Sequence, residues 1–474
     1  MRRLKRLISL LILLAMLPAA ALGEVQLLPQ LDAWQGGAMP VQVTMTAQCE
    51  SAAEFDENRL GQLNALLKHV TLTLQFQEGN GETWGSVGIA VDGQNALSLT
   101  VNETAECAYA QLSCIPDTTY TAAAGKDVGT WLLGGEETHS ALTLDNITSP
   151  WLQDGFAMLD GLPDVLADYT VEKSVKTTVA RMGTAKTRQT ITIPADNAGI
   201  LPETLASLCT DAETASAMAN AVFSGKQTIT IFRNADGAMI KATYSGRCGA
   251  DEEHLRKVTL TWCMRRDDDN TRDEITLKTP AVKGNDYNTL TFKRTETVDE
   301  YGTVDLTASL THNSRSGSDK ASVTGECDLE AMLTSEGTRL TGEISRSVSE
   351  NGGDTAWLII EPDVTFADDD LRMTGTAAVE TRMEKRTEDR WLLTLDMTYG
   401  SYFEWLLQNR TVDMDALEAN GQLATAREEI TSAVAQALIR PLVLLPYEDT
   451  LYLSDGLDEA VWQSIVDSAR KALQ

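Results

Sequence analysis

Cysteine and histidine are scarce, with seven and four in 474 residues. That density excludes a small scaffold held together by disulfides. The odd cysteine count leaves at least one thiol unpaired within the chain. Cys107 and Cys114 lie near each other in sequence, as do Cys248 and Cys263, but neither pair has metal-ligand spacing. An isolated disulfide and buried free thiols both fit. His69, His139, His254 and His312 are far apart, and none belongs to an H-E-x-x-H zinc helix. His254 follows Asp251, Glu252 and Glu253 in a solvated acidic turn. His69 joins a helix to a strand and reads as structural.

Other chemical signatures are missing. There is no G-x-S-x-G elbow. The one S-x-x-K, Ser468 to Lys471, stands on a terminal helix without partner motifs. Gly79, Gly81 and Gly85 lack phosphate-loop spacing and join two strands, so Asn80-Gly81 reads as a hairpin turn. The runs Asp267 to Asp269 (with Asp273) and Asp368 to Asp370 lack the shaped loop that calcium needs and read as hairpin tips. No catalytic residue, metal ligand or cofactor site is expected. A pair of carboxylates that meets only in the fold stays invisible at this stage.

Positive charge is short too: 39 Lys and Arg stand against 69 Asp and Glu, a net −30. Such a chain is repelled by nucleic acid and by anionic membrane surfaces. After the first residues there is no long hydrophobic run. Leu438 to Leu445 is interrupted by Arg440 and Pro441 and closed by Pro446. Leu201 to Leu205, LPETL, is similar to a sortase signal, but Leu205 stands where glycine is needed. It reads as the start of a helix, with Pro202 in the first turn.

What is present begins with an export signal. Arg2, Arg3, Lys5 and Arg6 form a basic n-region, and Leu7 to Leu17 an apolar run of signal-peptide length. Ala21-Leu22-Gly23 fits the cleavage rule, so the mature chain is expected to start at Glu24; a cut after Ala21 is the second choice, and an uncleaved anchor the alternative. Removing residues 1–23, with four basic and no acidic residues, takes the net charge from −30 to −34. No cysteine stands at the cut, so lipidation is not expected. The protein is expected in the cell envelope or outside the cell, not spanning a membrane once the signal is removed.

From Thr228 to Tyr399 the chain reads as strand after strand. Turn signals fall at Asp236-Gly237, Asp268 to Asn270, Gly284-Asn285, Tyr301-Gly302, Ser314 to Gly317, Glu336-Gly337, Asn351 to Gly353 and Asp368 to Asp370. Val258, Leu260, Trp262 and Met264 alternate with Lys257, Thr259 and Thr261. Val304, Leu306, Ala308 and Leu310 alternate with Asp305, Thr307 and Ser309, and Trp391, Leu393, Leu395, Met397 and Tyr399 follow the same rule. One face is buried and the other wet, as an antiparallel meander allows. Gly325, Gly342 and Gly375 each occupy an apolar-face position in mid-strand, which predicts bends and a curved sheet with a concave side of small residues.

Helices are predicted at Glu57–Lys68, Leu152–Leu166, Pro202–Phe223, Leu417–Leu438 and Leu457–Leu473. Further strands are predicted at Val41–Gln48, Val70–Gln77, Trp84–Val91, Leu97–Glu103, Val171–Val179 and Lys186–Ile193. The fold class is α+β, mostly β: a long curved antiparallel meander, half-barrel-like, with helices on its concave face, laid out as two strand–helix–meander copies. The regions are a signal peptide at 1–23, a β-rich part with helices at 24–168, a large meander with one helix at 169–400, and a helical segment at 401–474. This layout is similar to the curved half-barrel plus helices of lipoprotein carriers of the LolA and LppX type. The resemblance is one of architecture and covers Val171 to Tyr399. It implies a fold that hosts lipid carriers.

The functional expectation is a non-enzymatic binding protein. Its partner is a lipid-like molecule or a cell-envelope protein, held in the concave face at Ala308, Gly325, Gly342, Gly375 and Ala377. Binding is expected to be insensitive to salt, because no charge constellation marks a headgroup site. The alternatives are a structural protein whose own helices fill the concavity, and a carbohydrate-active hydrolase.

Overall fold

A computed structural model describes residues 41–79, 82–104, 106–123, 151–209, 212–249, 255–267, 269–280, 287–367, 372–399, 410–442, 444–454, 460–461, 463–464 and 466–467. The signal segment, Asn80-Gly81, His139, His254, Asp268, the turns at Gly284-Asn285 and Asp368 to Asp370, and Ser468 to Lys471 lie outside the described residues. So does most of the helix expected at Leu457–Leu473.

The first elements are β1 (Val41–Ala52), α1 (Glu57–Leu67), β2 (Val70–Gly79), β3 (Glu82–Val91), β4 (Gln94–Glu103), β5 (Cys107–Leu112) and β6 (Thr118–Ala123). Next come α2 (Trp151–Val165), β7 (Thr170–Val179), β8 (Gly183–Ile193), α3 (Leu201–Leu208) and α4 (Ala212–Asn220). A run of strands follows: β9 (Val222–Arg233), β10 (Met239–Gly249), β11 (Arg256–Asp267), β12 (Asn270–Pro280), β13 (Tyr287–Val298) and β14 (Val304–Ser316). It continues through β15 (Asp319–Thr334), β16 (Gly337–Glu350), β17 (Ala356–Ala367), β18 (Arg372–Met383) and β19 (Arg386–Tyr399). Then come β20 (Arg410–Asp413), α5 (Met414–Ala419) and α6 (Leu423–Leu442).

These strands make one 20-stranded sheet. From β7 to β19 each strand is antiparallel to the next. β19 then pairs with β1, Val41 facing Tyr399 and Cys49 facing Trp391. β1 leads antiparallel through β2, β3, β4 and β5 to β6, where β20 adds in parallel. The sheet is a meander that does not close into a barrel. The strands before and after residue 168 therefore belong to the same sheet.

The helix expected over Pro202–Phe223 is two helices, and Val222 and Phe223 already belong to β9. The one expected over Leu417–Leu438 is split by Asn420-Gly421. Gly421 there takes φ +69°, a left-handed helix stop that glycine adopts without strain. β5, β6 and β20, of six, six and four residues, were not foreseen.

The described helices that join a core cluster all lie on one face of the sheet, the core face. Leu159 and Leu162 of α2 and Leu201 and Leu205 of α3 share a buried cluster with Ile191, Ile229, Trp262 and Met264. Met414 of α5 and Ile430 of α6 cover Ala108, Ala110 and Leu112. Leu63 of α1 covers Cys49 and Ala52. Between these ends, from β14 to β19 and on to β1 and β2, the buried cluster is made of strand residues alone, among them Val43, Leu329, Leu340, Ile360 and Leu393. Helices therefore cover the core face over β8–β11, over β5 and, through α1, at one end of β1, while from β14 through β19 to β2 the central cluster is filled by the strands' own side chains. Each buried aliphatic side chain there contributes roughly 1.5–3 kcal/mol.

Two glycines bend the middle. Gly342 on β16, with φ +141°, faces Leu329 on β15, and Gly375 on β18, with φ +156°, faces Val364 on β17. A Cβ at Gly342 would run into the carbonyl oxygen of Asp328, and one at Gly375 into that of Asp363. Between them β17 carries Pro362, which has no N–H to give. The β16–β17 ladder pairs Thr341 with Asp363 and Ile344 with Ile360 and is interrupted between those pairs.

Candidate functional site

Register arranges the core face in rows that cross the strands. One row runs Leu260, Leu277, Leu290, His312, Val323, Val348 from β11 to β16. All six are half-buried. The next row runs Trp262, Ile275, Phe292, Leu310, Gly325, Arg346. Its first four members are closed off, at 2%, 6%, 3% and 5% exposure, within the cluster that α2 and α3 cover. The third row runs Met264, Asp273, Arg294, Ala308, Cys327, Ile344.

The third row carries charge on an apolar face. Asp273 is 1% exposed. Its carboxylate accepts the Trp262 indole N–H at 2.9 Å and two hydrogen bonds from the Arg266 guanidinium at 2.8 and 3.0 Å. Arg294, buried beside it, donates to Glu296 at 2.6 Å. A buried carboxylate persists only when paired and hydrogen-bonded, and Asp273 is both. Cys327 lies two strands from Arg294, beyond Ala308. Burial pushes its thiol up to about 11, and the Asp328 charge adds to that. Such a thiol is protonated and inert at neutral pH.

Of the residues picked out by sequence, Ala308 and Gly325 come together here, on neighbouring strands and adjoining rows. Ala308 is half-buried, and a Cβ at Gly325 would meet nothing closer than the Ser345 carbonyl oxygen at 3.9 Å. The other three sit elsewhere. Ala377 is fully enclosed in the central core at 0% exposure. Gly342 and Gly375 press on neighbouring backbone, so a close approach between strands accounts for them. Asp273, Arg294 and Arg346 were missed, although each falls at an apolar parity position in its strand, which is a readable signal.

Two further clusters are closed networks. On the opposite face, Glu380 is 4% exposed. It accepts hydrogen bonds from Arg382 at 2.5 and 3.0 Å, Thr387 at 2.5 Å and Arg390 at 3.0 Å. Arg390 also reaches Glu50 and Glu361, tying β1, β17, β18 and β19 together. The Arg382 hydrogen bond leads in holding the Glu380 carboxyl at about 2, against a burial effect of opposite sign. At the end of α1, His69 Nδ1 lies 2.7 Å from Asp92 and Nε2 lies 2.9 Å from Asp449, while Lys68 donates to Asp449 at 2.8 Å. All seven cysteines are free thiols. Among the described residues, no helix is long and apolar enough to cross a membrane.

No family model matches the chain, and no curated protein does. Among solved structures, a loop-deletion mutant of OmpT, an outer membrane protein of Vibrio cholerae, is 6% identical with a TM-score of 0.26, over 76% of this chain and 98% of that one. The outer membrane channel DcaP of Acinetobacter baumannii is 5% identical with a TM-score of 0.26, over 76% and 96%. OmpF of Salmonella typhi, in complex with daunomycin, is 6% identical with a TM-score of 0.25, over 76% and 97%. Likenesses this loose assign neither a fold nor a function to the chain.

Proposed function

We propose that this is an exported, non-enzymatic binding protein that holds an apolar ligand along the core face of β11 to β16. The observation that carries the reading is the half-buried row Leu260, Leu277, Leu290, Val323 and Val348, interrupted only by His312. It lies beside a row closed from Trp262 to Leu310 and forms a ledge where the covered core stops. A hydrocarbon laid there gains roughly 25 cal/mol per Å² removed from water. The face away from the core favours an aqueous setting: Asp305, Thr307, Thr394 and Thr398 are exposed on it. A bilayer-spanning barrel turns an apolar band outward instead. Asp273, Glu380 and Asp449 are each held by hydrogen bonds from neighbouring side chains, which supports binding over catalysis.

Native mass spectrometry of detergent-free protein, with titration of a fluorescent fatty acid, tests the reading. Co-purified lipid or saturable binding that Leu290→Gln weakens is the expected result. With neither, the structural alternative takes its place. Export is tested by the mass of the protein recovered outside the cytoplasm, expected to begin at Glu24; a chain retaining Arg2 rejects cleavage.

A further inference from the structure

We infer that the bound molecule is a single-chain amphiphile with an anionic head, the head lying over Gly325 between Arg346 and His312; this rests on the apolar-ligand reading above. The ledge is one row wide, bounded inside by the closed side chains Trp262, Ile275, Phe292 and Leu310 and outside by the mostly polar row Thr279, Asn288, Ser314, Ala321 and Glu350. A ledge of that width takes one hydrocarbon chain. The closed row ends at Gly325, and the next position across the sheet is Arg346, which is exposed. Gly325 has no side chain, and a Cβ there would make only an ordinary contact, with the Ser345 carbonyl oxygen at 3.9 Å. His312 lies one strand to the other side of Gly325 and one row up.

Arg266, Arg294, Arg339, Arg372, Arg382 and Arg390 each hold a carboxylate. Among the described residues, no carboxylate is paired with Arg346 or with His312. In a chain of net charge −30, the exposed guanidinium of Arg346 at the end of an apolar ledge offers an anionic head a complementary charge. Arginine suits the role, since its planar fork binds a carboxylate or a phosphate through two parallel hydrogen bonds. The imidazole of His312 supplies a further donor. The site also reverses the expectation of salt-insensitive binding: an exposed guanidinium holding an anion is screened by added salt.

The test compares cis-parinaric acid with its uncharged methyl ester by fluorescence titration of the full chain. The acid is expected to bind wild-type protein more tightly than the ester, and its affinity to fall with added salt while that of the ester does not. Arg346→Gln is expected to weaken the acid roughly tenfold or more and to leave the ester within about twofold. Arg346→Lys, which keeps the charge, is expected to fall between. Arg346 is exposed, so these variants fold. Equal binding of acid and ester, or an acid affinity untouched by Arg346→Gln, overturns the anionic head and leaves the apolar-ligand reading standing. Saturable binding of neither compound overturns both. Displacement of the probe by lysophosphatidic acid at lower concentration than by palmitate assigns the head to a phosphate, and the reverse order assigns it to a carboxylate.

Discussion

His69 Nε2 lies 2.9 Å from a carboxylate oxygen of Asp449, a residue 380 positions further along the chain. The other ring nitrogen faces Asp92 at 2.7 Å. Ionised carboxylates only accept, so both contacts are hydrogen bonds at once when the ring is protonated and donates from both nitrogens. Asp449 belongs to the short turn Tyr447–Asp449, which leads into a second at Leu451–Ser454. Tyr452 there packs edge-on against Phe55 with ring centroids 6.0 Å apart, and Leu445 joins a cluster with Leu66 and Val91. The ion group thus clasps the C-terminal turns onto α1.

The clasp has a pH window. Burial pulls the His69 pKa down, but the hydrogen bonds to Asp92 and Asp449 outweigh it, and the net shift is upward. Its stabilisation is fully present below the ordinary histidine pKa, about 6.5, and is lost as pH rises through the raised folded value. Lys68 first, then His69, lower the Asp449 pKa. That contribution is present above about 3.9 and is lost as pH falls through the lowered folded value. Both hold in full between roughly pH 4 and 6.5. Hydrogen exchange at the Asp449 and Thr450 amides, corrected for intrinsic rate, is expected to lose protection on the alkaline side, and His69→Gln to remove that dependence. An unchanged pH profile in the variant counts against the clasp.

Glu380 sets an acid limit of its own. Its folded pKa of about 2 lies below the ordinary glutamate value, so its stabilisation is present above about 4.3 and disappears as pH falls toward the folded value. Glu380→Gln is expected to lower the melting temperature at neutral pH and to leave it unaltered near pH 2. An equal loss at both pH values would mean that packing, not charge, is what the variant disturbs.

Gly342 and Gly325 make opposite forecasts, although both occupy apolar-face positions in mid-strand. Gly342→Ala forces a side chain into positive-φ backbone and against Asp328, and is expected to cost at least about 2 kcal/mol. Gly325→Ala makes only an ordinary contact with the Ser345 carbonyl oxygen and is expected to be neutral or to stabilise by roughly 0.5 kcal/mol. Chemical denaturation of the two variants measures the difference. Equal effects would refute this account of the bend.

Asp273 is the anchor of the buried ion group. Asp273→Ala removes the carboxylate that accepts the Trp262 N–H and two hydrogen bonds from Arg266, and is expected to cost about 3 kcal/mol. Asp273→Asn keeps an oxygen for the indole and is expected to cost less. The near-ultraviolet signal of Trp262 reports whether that hydrogen bond survives.

The alternation of Val304, Leu306, Ala308 and Leu310 against Asp305, Thr307 and Ser309 was enough to read the meander and its core face. The same periodicity put Asp273, Arg294 and Arg346 on that face too. It did not reveal their role, because the partners of Asp273 are a tryptophan and an arginine whose proximity depends on register. Gly342 and Gly375 were legible as bends, but not as places where one backbone presses on the next. The pairing of β1 with β19 left no local trace, since two strands of the same alternating pattern are interchangeable as neighbours until the whole sheet is laid out.

That last pairing dictates an order of assembly. Val41 is synthesised long before its partner Tyr399. β2 satisfies one side of β1 soon after it emerges, while the other side waits for β19. Until β19 arrives, β1 is an unprotected edge carrying Val41, Val43 and Met45, the kind of surface that recruits a stranger's strand. Folding is accordingly expected to be slow, as long-range strand pairing dictates. The hazard is greatest for a nascent chain released before its final strands are made.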